Sequence, residues 1–513
     1  MAELLDCPVC LEPFSDPQML PSCGHTFCRG CIRGLQSRRC PTCRAAFIPA
    51  QVRPNFALRL VLQDLGLSST APPGELGCDE AATGKAGSCA SLDAADSGRI
   101  VRESSGDASG AAVHSDGLVD RLSELGVPWG LARLIREEDA QIALRLFLLD
   151  NSGSTSAADG HVLVGDPGQQ QVMTCCSRWE EISNMALQQA GWNAHVGTPC
   201  EFMLLNPPSK RTPGAFRSGI DFLRVDAALG DVEGQQDRLH HMLKSTLPRG
   251  PTPLSTRLEE IYRRVEAELS DLVRTGQRVV LVIATDGLPT TEYSGVSSQA
   301  DRQRLVRILR KLLGDLPLHV VVRLATDDEE VVDFYNRIDE ELELPLEVID
   351  DIESEAHEVM KQGNCWLTYC PLIHALREGG TFVKLFDLLD ERQLTPTESL
   401  LLARLLLQDE YEVLPQEPED FCMYVKDHVP NMELVYDPIL KRMAPIINAR
   451  VLRRAVLPLR IFACCRRRRK RLPPVLNLAK SGTRAGVPRR GYDVLSEPKP
   501  GKSSIVGKRM SNV

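Results

Sequence analysis

The feature that most restricts the fold of this chain is a set of seven cysteines and one histidine within its first 43 residues. They are spaced C-x2-C, twelve residues, C-x-H, two residues, C-x2-C, eight residues, C-x2-C. The residues are Cys7, Cys10, Cys23, His25, Cys28, Cys31, Cys40 and Cys43. Each C-x2-C pair can direct two thiolates at one tetrahedral cation, and eight ligands suit two zinc ions. Zinc must supply much of the folding free energy, because so short a segment buries too small a core.

Disulfides and incidental buried thiols are the alternative explanations for the 17 cysteines of the chain. The first six residues lack the basic-then-apolar start of a secretory signal. No apolar run approaches the length of about 20 residues that spans a bilayer. We therefore expect an intracellular chain, cytoplasmic and/or nuclear, in a reducing compartment where clustered cysteines bind metal rather than pair.

The order and spacing of these ligands resemble the RING finger, whose two zinc sites interleave in a cross-brace. The resemblance implies that the first zinc takes Cys7, Cys10, Cys28 and Cys31, and that the second takes Cys23, His25, Cys40 and Cys43. RING fingers act as ubiquitin ligases without a covalent intermediate: they bind a ubiquitin-conjugating enzyme and hold its thioester-linked ubiquitin in a reactive orientation.

Four further positions match residues that this family uses for ubiquitin transfer. By that resemblance, Val9, Leu35 and Pro41 contact the conjugating enzyme. Arg44, directly after the last cysteine, matches the linchpin cation that hydrogen-bonds both the conjugating enzyme and ubiquitin. The alternative is that Val9 and Leu35 only pack the small core and that Arg44 is a solvated charge.

Composition divides the rest of the chain. Residues 1–67 form the finger and a following amphipathic helix over 55–67, and residues 68–117 are a flexible linker rich in Ser, Ala, Gly and Asp. Residues 118–362 alternate buried strands (144–150, 202–206, 279–286, 318–325 and 345–349) with amphipathic helices (178–190, 255–275, 300–313 and 352–362). This pattern predicts an α/β fold, a doubly wound, mostly parallel sheet covered on both faces. Residues 363–459 are predicted as a helical extension, with helices over 382–408 and 421–459.

A second set of candidate metal ligands follows the strand ends of this sheet. Asp150, Ser152 and Ser154 form a D-x-S-x-S motif after the first strand, Thr252 precedes a helix, and Asp286 ends the strand over 279–286. Open α/β sheets bind ligands at this edge, and an all-oxygen donor set suits a hard octahedral cation such as Mg2+. The alternative is an ordinary turn with helix-capping hydroxyls.

This arrangement resembles the von Willebrand factor A domain and its metal-ion-dependent adhesion site. The resemblance implies one open coordination position, which an acidic side chain of a partner fills. Residues 161–199, between the motif and Thr252, include a predicted hairpin around 165–168.

The net charge is −9, but the charges are unevenly distributed and the C-terminal segment is strongly basic. Residues 450–513 contain 18 lysines and arginines against two acidic residues, and six consecutive cations follow Cys464 and Cys465. We predict a basic disordered tail from residue 460 onward. It suits a nuclear import signal, an anionic-membrane contact assisted by palmitoylation, or a solvated tail. Aromatic residues are scarce there, so we expect no specific nucleic-acid partner.

Taken together, the two resemblances predict a RING-type ubiquitin ligase. Its expected partners are a ubiquitin-conjugating enzyme charged with ubiquitin and a protein substrate or adaptor recruited by the von Willebrand A-like domain. The sequence shows no phosphate loop, nucleophile elbow or paired-carboxylate hydrolase motif. The alternative is a non-catalytic interaction scaffold built from the same two modules.

Overall fold

The structure is a computed structural model, and it is described here at the residues whose positions it defines. These are 7–10, 12–20, 25–35, 37–42, 44–47, 52–55, 58, 100, 118–123, 125–165, 171–207, 222–342, 346–409 and 413–457. The predicted tail and almost all of the predicted linker and of the helix over 55–67 lie outside these residues.

Within the described residues, strands and helices alternate through most of the chain. The strands are β1 (Pro17–Met19), β2 (Thr26–Cys28), β3 (Arg53–Pro54), β4 (Ile142–Leu149), β5 (Gly160–Val164), β6 (Val172–Cys176), β7 (Cys200–Leu204), β8 (Phe222–Val225), β9 (Arg278–Thr285), β10 (Leu318–Leu324), β11 (Leu346–Ile349), β12 (Leu434–Asp437) and β13 (Arg442–Pro445). The helices are α1 (Arg29–Arg33), α2 (Trp129–Asp139), α3 (Arg178–Val196), α4 (Val232–Ser245), α5 (Leu254–Ala267), α6 (Leu269–Thr275), α7 (Gln299–Asp315), α8 (Glu329–Leu342), α9 (Ile352–Lys361), α10 (Pro371–Glu378), α11 (Lys384–Glu391), α12 (Pro396–Leu407), α13 (Pro418–His428) and α14 (Ala449–Val456).

The N-terminal cysteine-rich segment forms a small antiparallel sheet in the order β2-β1-β3, with α1 directly after β2. Its apolar core is made of few side chains, among them Phe14, Leu20, Phe27 and Phe47, with buried Cys7, Cys28 and Cys40 between them. A core of this size gives little hydrophobic stabilisation, so the cysteines must contribute to the fold in another way.

The centre of the fold is a six-stranded sheet in the order β11-β10-β9-β4-β7-β8. All neighbouring strands are parallel except the edge strand β8, which runs antiparallel to β7. Strand β4 is buried over its whole length. Leu144, Leu146 and Leu148 face a core with α5, α7 and α8, whereas Phe147 and Leu149 face a core with α3 and α4. The mixed α/β fold is therefore confirmed, with helices on both faces of the sheet.

A layer of helices at the C-terminal end of the described chain packs on the sheet and on α2. Gly130 of α2 lies so close to α12 that a Cβ atom there would be 2.7 Å from the carbonyl oxygen of Leu405, so only glycine fits. Buried ion pairs hold the layer in place: Arg377 of α10 pairs with Glu347 of β11, Glu355 of α9 and Asp390 of α11.

Most predicted elements of the sheet match the observed ones within two residues, which is the ordinary uncertainty of helix and strand ends. Helix α3 is longer than predicted, because a capping box of Ser177 and Glu180 opens it and left-handed Gly197 closes it only after Val196. The predicted helix over 255–275 is two helices, broken at Glu268.

The prediction of a helix throughout 421–459 was wrong, because the hairpin of β12 and β13 interrupts it. Pro438 cannot continue a helix, and the carboxylate of Asp437 accepts hydrogen bonds from the backbone N–H groups of Ile439 and Leu440. Strands β5 and β6 pair antiparallel, as the predicted hairpin requires, and residues 166–170 between them lie outside the described residues. Within the described residues, no helix combines the length and apolar character needed to cross a membrane.

Candidate metal centres

Four cysteine sulfurs of the N-terminal segment converge on one point. The Sγ atoms of Cys7, Cys10, Cys28 and Cys31 all lie within 4.8 Å of one another, and those of Cys10 and Cys28 are 3.9 Å apart. Backbone groups surround them: the N–H of Ser15 donates to Cys28 Sγ at 3.1 Å, and the N–H of Cys28 donates to Cys7 Sγ at 3.4 Å. Strand β2 and helix α1 bring Cys28 and Cys31 to the pair Cys7 and Cys10.

The electrostatics of this cluster fit a bound cation. Burial raises the pKa of Cys28 to about 12 and that of Cys31 to about 11, and neighbouring thiols add to both rises. Burial also acts to raise the pKa of Cys7, but hydrogen bonds from backbone N–H groups bring it down to about 7. Four thiolates cannot share this space unless a positive charge offsets their repulsion. These four cysteines thus form a zinc-binding cluster, the donor set that a tetrahedral zinc ion requires.

Two of the four residues predicted for a second zinc, Cys23 and Cys43, lie outside the described residues. Cys40 is buried, and its backbone N–H donates to the carbonyl oxygen of Ala45 at 2.7 Å. The Nδ1 atom of His25 is buried and has no hydrogen-bond partner among the described residues. A buried imidazole nitrogen without a partner suits a metal ligand.

The residues predicted to contact a conjugating enzyme are accessible to different degrees. Val9, Pro41 and Arg44 are exposed, whereas Leu35 is half-buried against the cysteine and phenylalanine core. Arg44 adopts a left-handed conformation with φ of 68°. Its backbone N–H closes the turn by donating to the carbonyl oxygen of Cys40 at 2.9 Å, which fixes the start of the exposed side chain.

The second candidate centre lies at the carboxyl ends of the neighbouring strands β4 and β9, where the strand order of the sheet reverses direction. Asp150 directly follows β4, and Asp286 directly follows β9. The Oγ atoms of Ser152 and Ser154 are 3.0 Å apart, and Ser154 Oγ donates to Asp286 Oδ1 at 2.9 Å. Crevices at such reversal points bind ligands in open α/β folds.

The loop that carries Thr252 is tied to the same edge. The N–H of Thr252 donates to Thr290 Oγ1 at 2.8 Å, and the N–H of Gly153 donates to the carbonyl oxygen of Gly250 at 3.0 Å. A Cβ atom placed on Gly287 would lie 3.8 Å from Thr252 Oγ1 and 3.9 Å from Ser154 Oγ. The structure therefore brings all five predicted oxygen donors to one edge of the sheet.

The two carboxylates of this centre are in a desolvated environment. Burial, and to a smaller extent the charge of Asp286, raise the pKa of Asp150 to about 6. Two hydrogen bonds to its carboxylate, from Thr285 Oγ1 at 2.6 Å and from the N–H of Ser152 at 2.9 Å, act in the opposite direction and lower this pKa. Burial also raises the pKa of Asp286, although Ser154 and Arg178 oppose the rise. Two buried carboxylates with raised pKa values, set among hydroxyl groups, suit a divalent cation.

Three residues of this centre were not predicted from the sequence: Asp159, Arg178 and Thr285. Arg178 Nη1 lies 3.1 Å from Asp286 Oδ2, and its guanidinium also contacts both oxygens of Asp159 at 2.7 Å. The Oγ1 atom of Thr285 donates to Asp150 Oδ2 at 2.6 Å. Arg178 opens α3, far from the metal-ligand motif in sequence, so no spacing pattern signals its position. Thr285 directly precedes Asp286, but a threonine that ends a strand is too common to be a signal.

Comparison with known protein families identifies the class of the cysteine-rich module. Residues 7–43 match the family model of RING-type zinc fingers. This chain is similar to E3 ubiquitin-protein ligase TRIM4 of Homo sapiens, with 48% identity over 61 residues, which cover 11% of this chain and 12% of that protein. It is also similar to E3 ubiquitin-protein ligase TRIM68 of Mus musculus, with 37% identity over 76 residues, which cover 13% of this chain and 16% of that protein.

A third similarity is to tripartite motif-containing protein 5 of Papio anubis, with 33% identity over 89 residues, which cover 16% of this chain and 18% of that protein. The chain thus spans less than a fifth of the length of these curated relatives. The family match is confined to the cysteine-rich segment of residues 7–43.

Proposed function

We propose that this protein is a RING-type ubiquitin ligase that moves ubiquitin from the thioester of a conjugating enzyme to substrate lysines. The observation that carries the proposal is the convergence of four cysteine sulfurs inside the segment that matches the RING family. The first zinc is held by these four residues. The second is held by Cys23, His25, Cys40 and Cys43, a set supported by the unpartnered Nδ1 atom of His25.

The finger contributes position rather than a reacting group. Exposed Val9 and Pro41, with half-buried Leu35, form an apolar contact for the conjugating enzyme. Arg44 hydrogen-bonds the conjugating enzyme and its ubiquitin together, because its side chain projects from a turn that the Cys40 carbonyl oxygen fixes. Restricting the thioester to conformations that a lysine can attack lowers the entropic part of the barrier.

The α/β body recruits the substrate or an adaptor through an adhesion-type metal site, as in the von Willebrand factor A domain that it resembles. Asp150, Ser152, Ser154, Thr252 and Asp286 would hold the cation, directly or through water. When bound, Mg2+ supplies a Lewis-acid position for a carboxylate of the partner. The support is the convergence of these donors at the reversal point of the sheet.

Several proposals rest on the sequence alone. The domain divisions at 67, 117, 362 and 459, the cytoplasmic and/or nuclear location, and the role of the basic tail stay predictions. The tail proposals are an import signal or an anionic-membrane contact, and both depend on its six consecutive cations.

The test is discharge of ubiquitin from purified conjugating enzymes to free lysine, with the full chain as ligase. Val9→Ala should raise the concentration of ligase needed for half-maximal discharge. Arg44→Ala should lower the maximal rate at unchanged docking. Arg38→Ala is the matched control, since Arg38 is an exposed arginine of the same finger without an ion pair among the described residues. Equal discharge by the wild type and Arg44→Ala with every conjugating enzyme tested would favour the scaffold alternative.

A further inference from the structure

A cavity of about 900 Å³ lies between helices α7 and α8, on elements that hold none of the metal-ligand candidates. Four arginines line it: Arg302, Arg307 and Arg310 from α7, and Arg337 from α8. Phe334 and Val306 add an apolar floor. A concave site with both charged and apolar walls can hold a ligand that has both characters.

The cavity follows from the helical spacing of its residues. On α7 the lining positions 299, 302, 303, 306, 307 and 310 fall at intervals of three and four, so they share one side of the helix. The neighbouring side carries Leu305, Ile308, Leu309 and Leu312, which are buried against the sheet. The arginines of α7 therefore lie on the side of the helix that faces α8, outside the buried side that packs on the sheet.

The charge of this flank is only partly neutralised. Arg302 pairs with Glu330 at 2.5 Å. Arg307 and Arg337 use their Nε atoms on backbone carbonyl oxygens one turn earlier in their own helices, at 3.3 and 3.0 Å. No carboxylate pairs with Arg307, Arg310 or Arg337 among the side chains that the structure describes, which do not include those of residues 339–342 of α8, and all three arginine side chains are exposed. Three guanidinium groups at one cavity give a local positive charge on a chain whose net charge is −9.

We propose that this cavity binds an acidic segment of a partner protein, with carboxylates paired to Arg307, Arg310 and Arg337 and an apolar side chain on Phe334. Guanidinium groups bind carboxylates through paired hydrogen bonds, which Lys cannot match in geometry. The exposed side-chain amide of Gln303 lies beside them and can hydrogen-bond the backbone of an extended peptide.

A peptide fits this site better than an anionic membrane does. Glu330 and Asp333 are exposed on α8 in the same turns as the cavity residues. A flat bilayer pressed against the helix pair would bring these carboxylates against anionic lipids, whereas a narrow peptide in the cavity avoids them. The site does not depend on the proposed ubiquitin transfer, since a scaffold would use it equally.

The probe is a fluorescein-labelled peptide of alternating glutamate and alanine with one central leucine, and its binding to the full chain is measured by fluorescence anisotropy. The wild type should bind it with an affinity that falls steeply as salt rises. Arg307→Glu with Arg310→Glu should weaken binding at least about tenfold, a change of about 1.4 kcal/mol. The charge-matched control is Arg450→Glu with Arg454→Glu on α14, two exposed arginines on a helix of a different core.

Arg337→Glu tests the second helix and should weaken binding as well. Circular dichroism of each variant is the control for folding. We expect unchanged spectra, because the replaced arginines are exposed and do not belong to the core. The proposal is overturned if the peptide binds both double variants with equal affinity, or if a peptide with glutamine at each glutamate binds as well. It is also overturned if vesicles containing phosphatidylserine bind through these arginines and the peptide does not.

Discussion

Replacing Asp150 by asparagine removes one of the two buried carboxylates at the carboxyl ends of β4 and β9. Burial and the charge of Asp286 raise the pKa of Asp150 from 3.8 to about 6. Folding therefore favours the protonated form, and the stability of the metal-free protein falls as pH rises from about 4 to about 6. Because one pKa unit is about 1.4 kcal/mol, the ionised group destabilises the folded state by about 3 kcal/mol at neutral pH. Asp150→Asn should recover up to that amount.

Urea unfolding followed by tryptophan fluorescence measures this change in the full chain. The four tryptophans are Trp129, Trp179, Trp192 and Trp366, so the signal reports the α/β body and its helices and not the zinc finger. In EDTA at neutral pH, Asp150→Asn should be more stable than the wild type, and the difference should shrink at about pH 4. Millimolar Mg2+ should stabilise only the wild type, by mass action on the folded state.

The matched control is Asp237→Asn, which also replaces a carboxylate by an amide but at an exposed position of α4. It should leave the unfolding midpoint, its pH dependence and the response to Mg2+ unchanged. The reasoning is refuted if Asp150→Asn is no more stable than the wild type in EDTA at neutral pH. The metal site is refuted separately if Mg2+ and EDTA give the wild type the same midpoint.

Three further expectations follow from single contacts. Arg178→Gln removes a guanidinium that competes with a cation for Asp286, so Mg2+ should raise the thermal midpoint more than it does in the wild type; an unchanged response would show that Arg178 does not compete. Cys28→Ser should lower the zinc content measured by elemental analysis by about one ion per chain and should abolish ubiquitin discharge, and retention of the wild-type zinc content would contradict its role as a ligand. Arg377→Met should destabilise the body by about 3–5 kcal/mol in urea unfolding, because it leaves buried carboxylates without a partner; a loss below about 1 kcal/mol would mean that the ion pairs contribute little.

The sequence predicted the parts of this protein that depend on local pattern. The C-x2-C pairs of the finger and the unbroken apolar run of β9 are short-range features. They set the ligand chemistry and place Asp286 at a strand end before any contact is known. The hairpin of β12 and β13 was missed, although Asp437 and Pro438 form a local turn signal inside the stretch that was predicted as one helix.

The tertiary structure decided which distant residues meet. Parallel strands β4 and β9 are adjacent although more than a hundred residues separate them, and only this pairing brings Asp150 to Asp286. The same pairing and the start of α3 place Arg178 beside Asp286, and the packing of α7 against α8 gathers arginines that the sequence gives no reason to group. The sequence by itself therefore determined the donor types and the elements that carry them. Their neighbours were decided by strand order and helix packing, because burial of apolar surface selects one arrangement of elements that no local pattern contains.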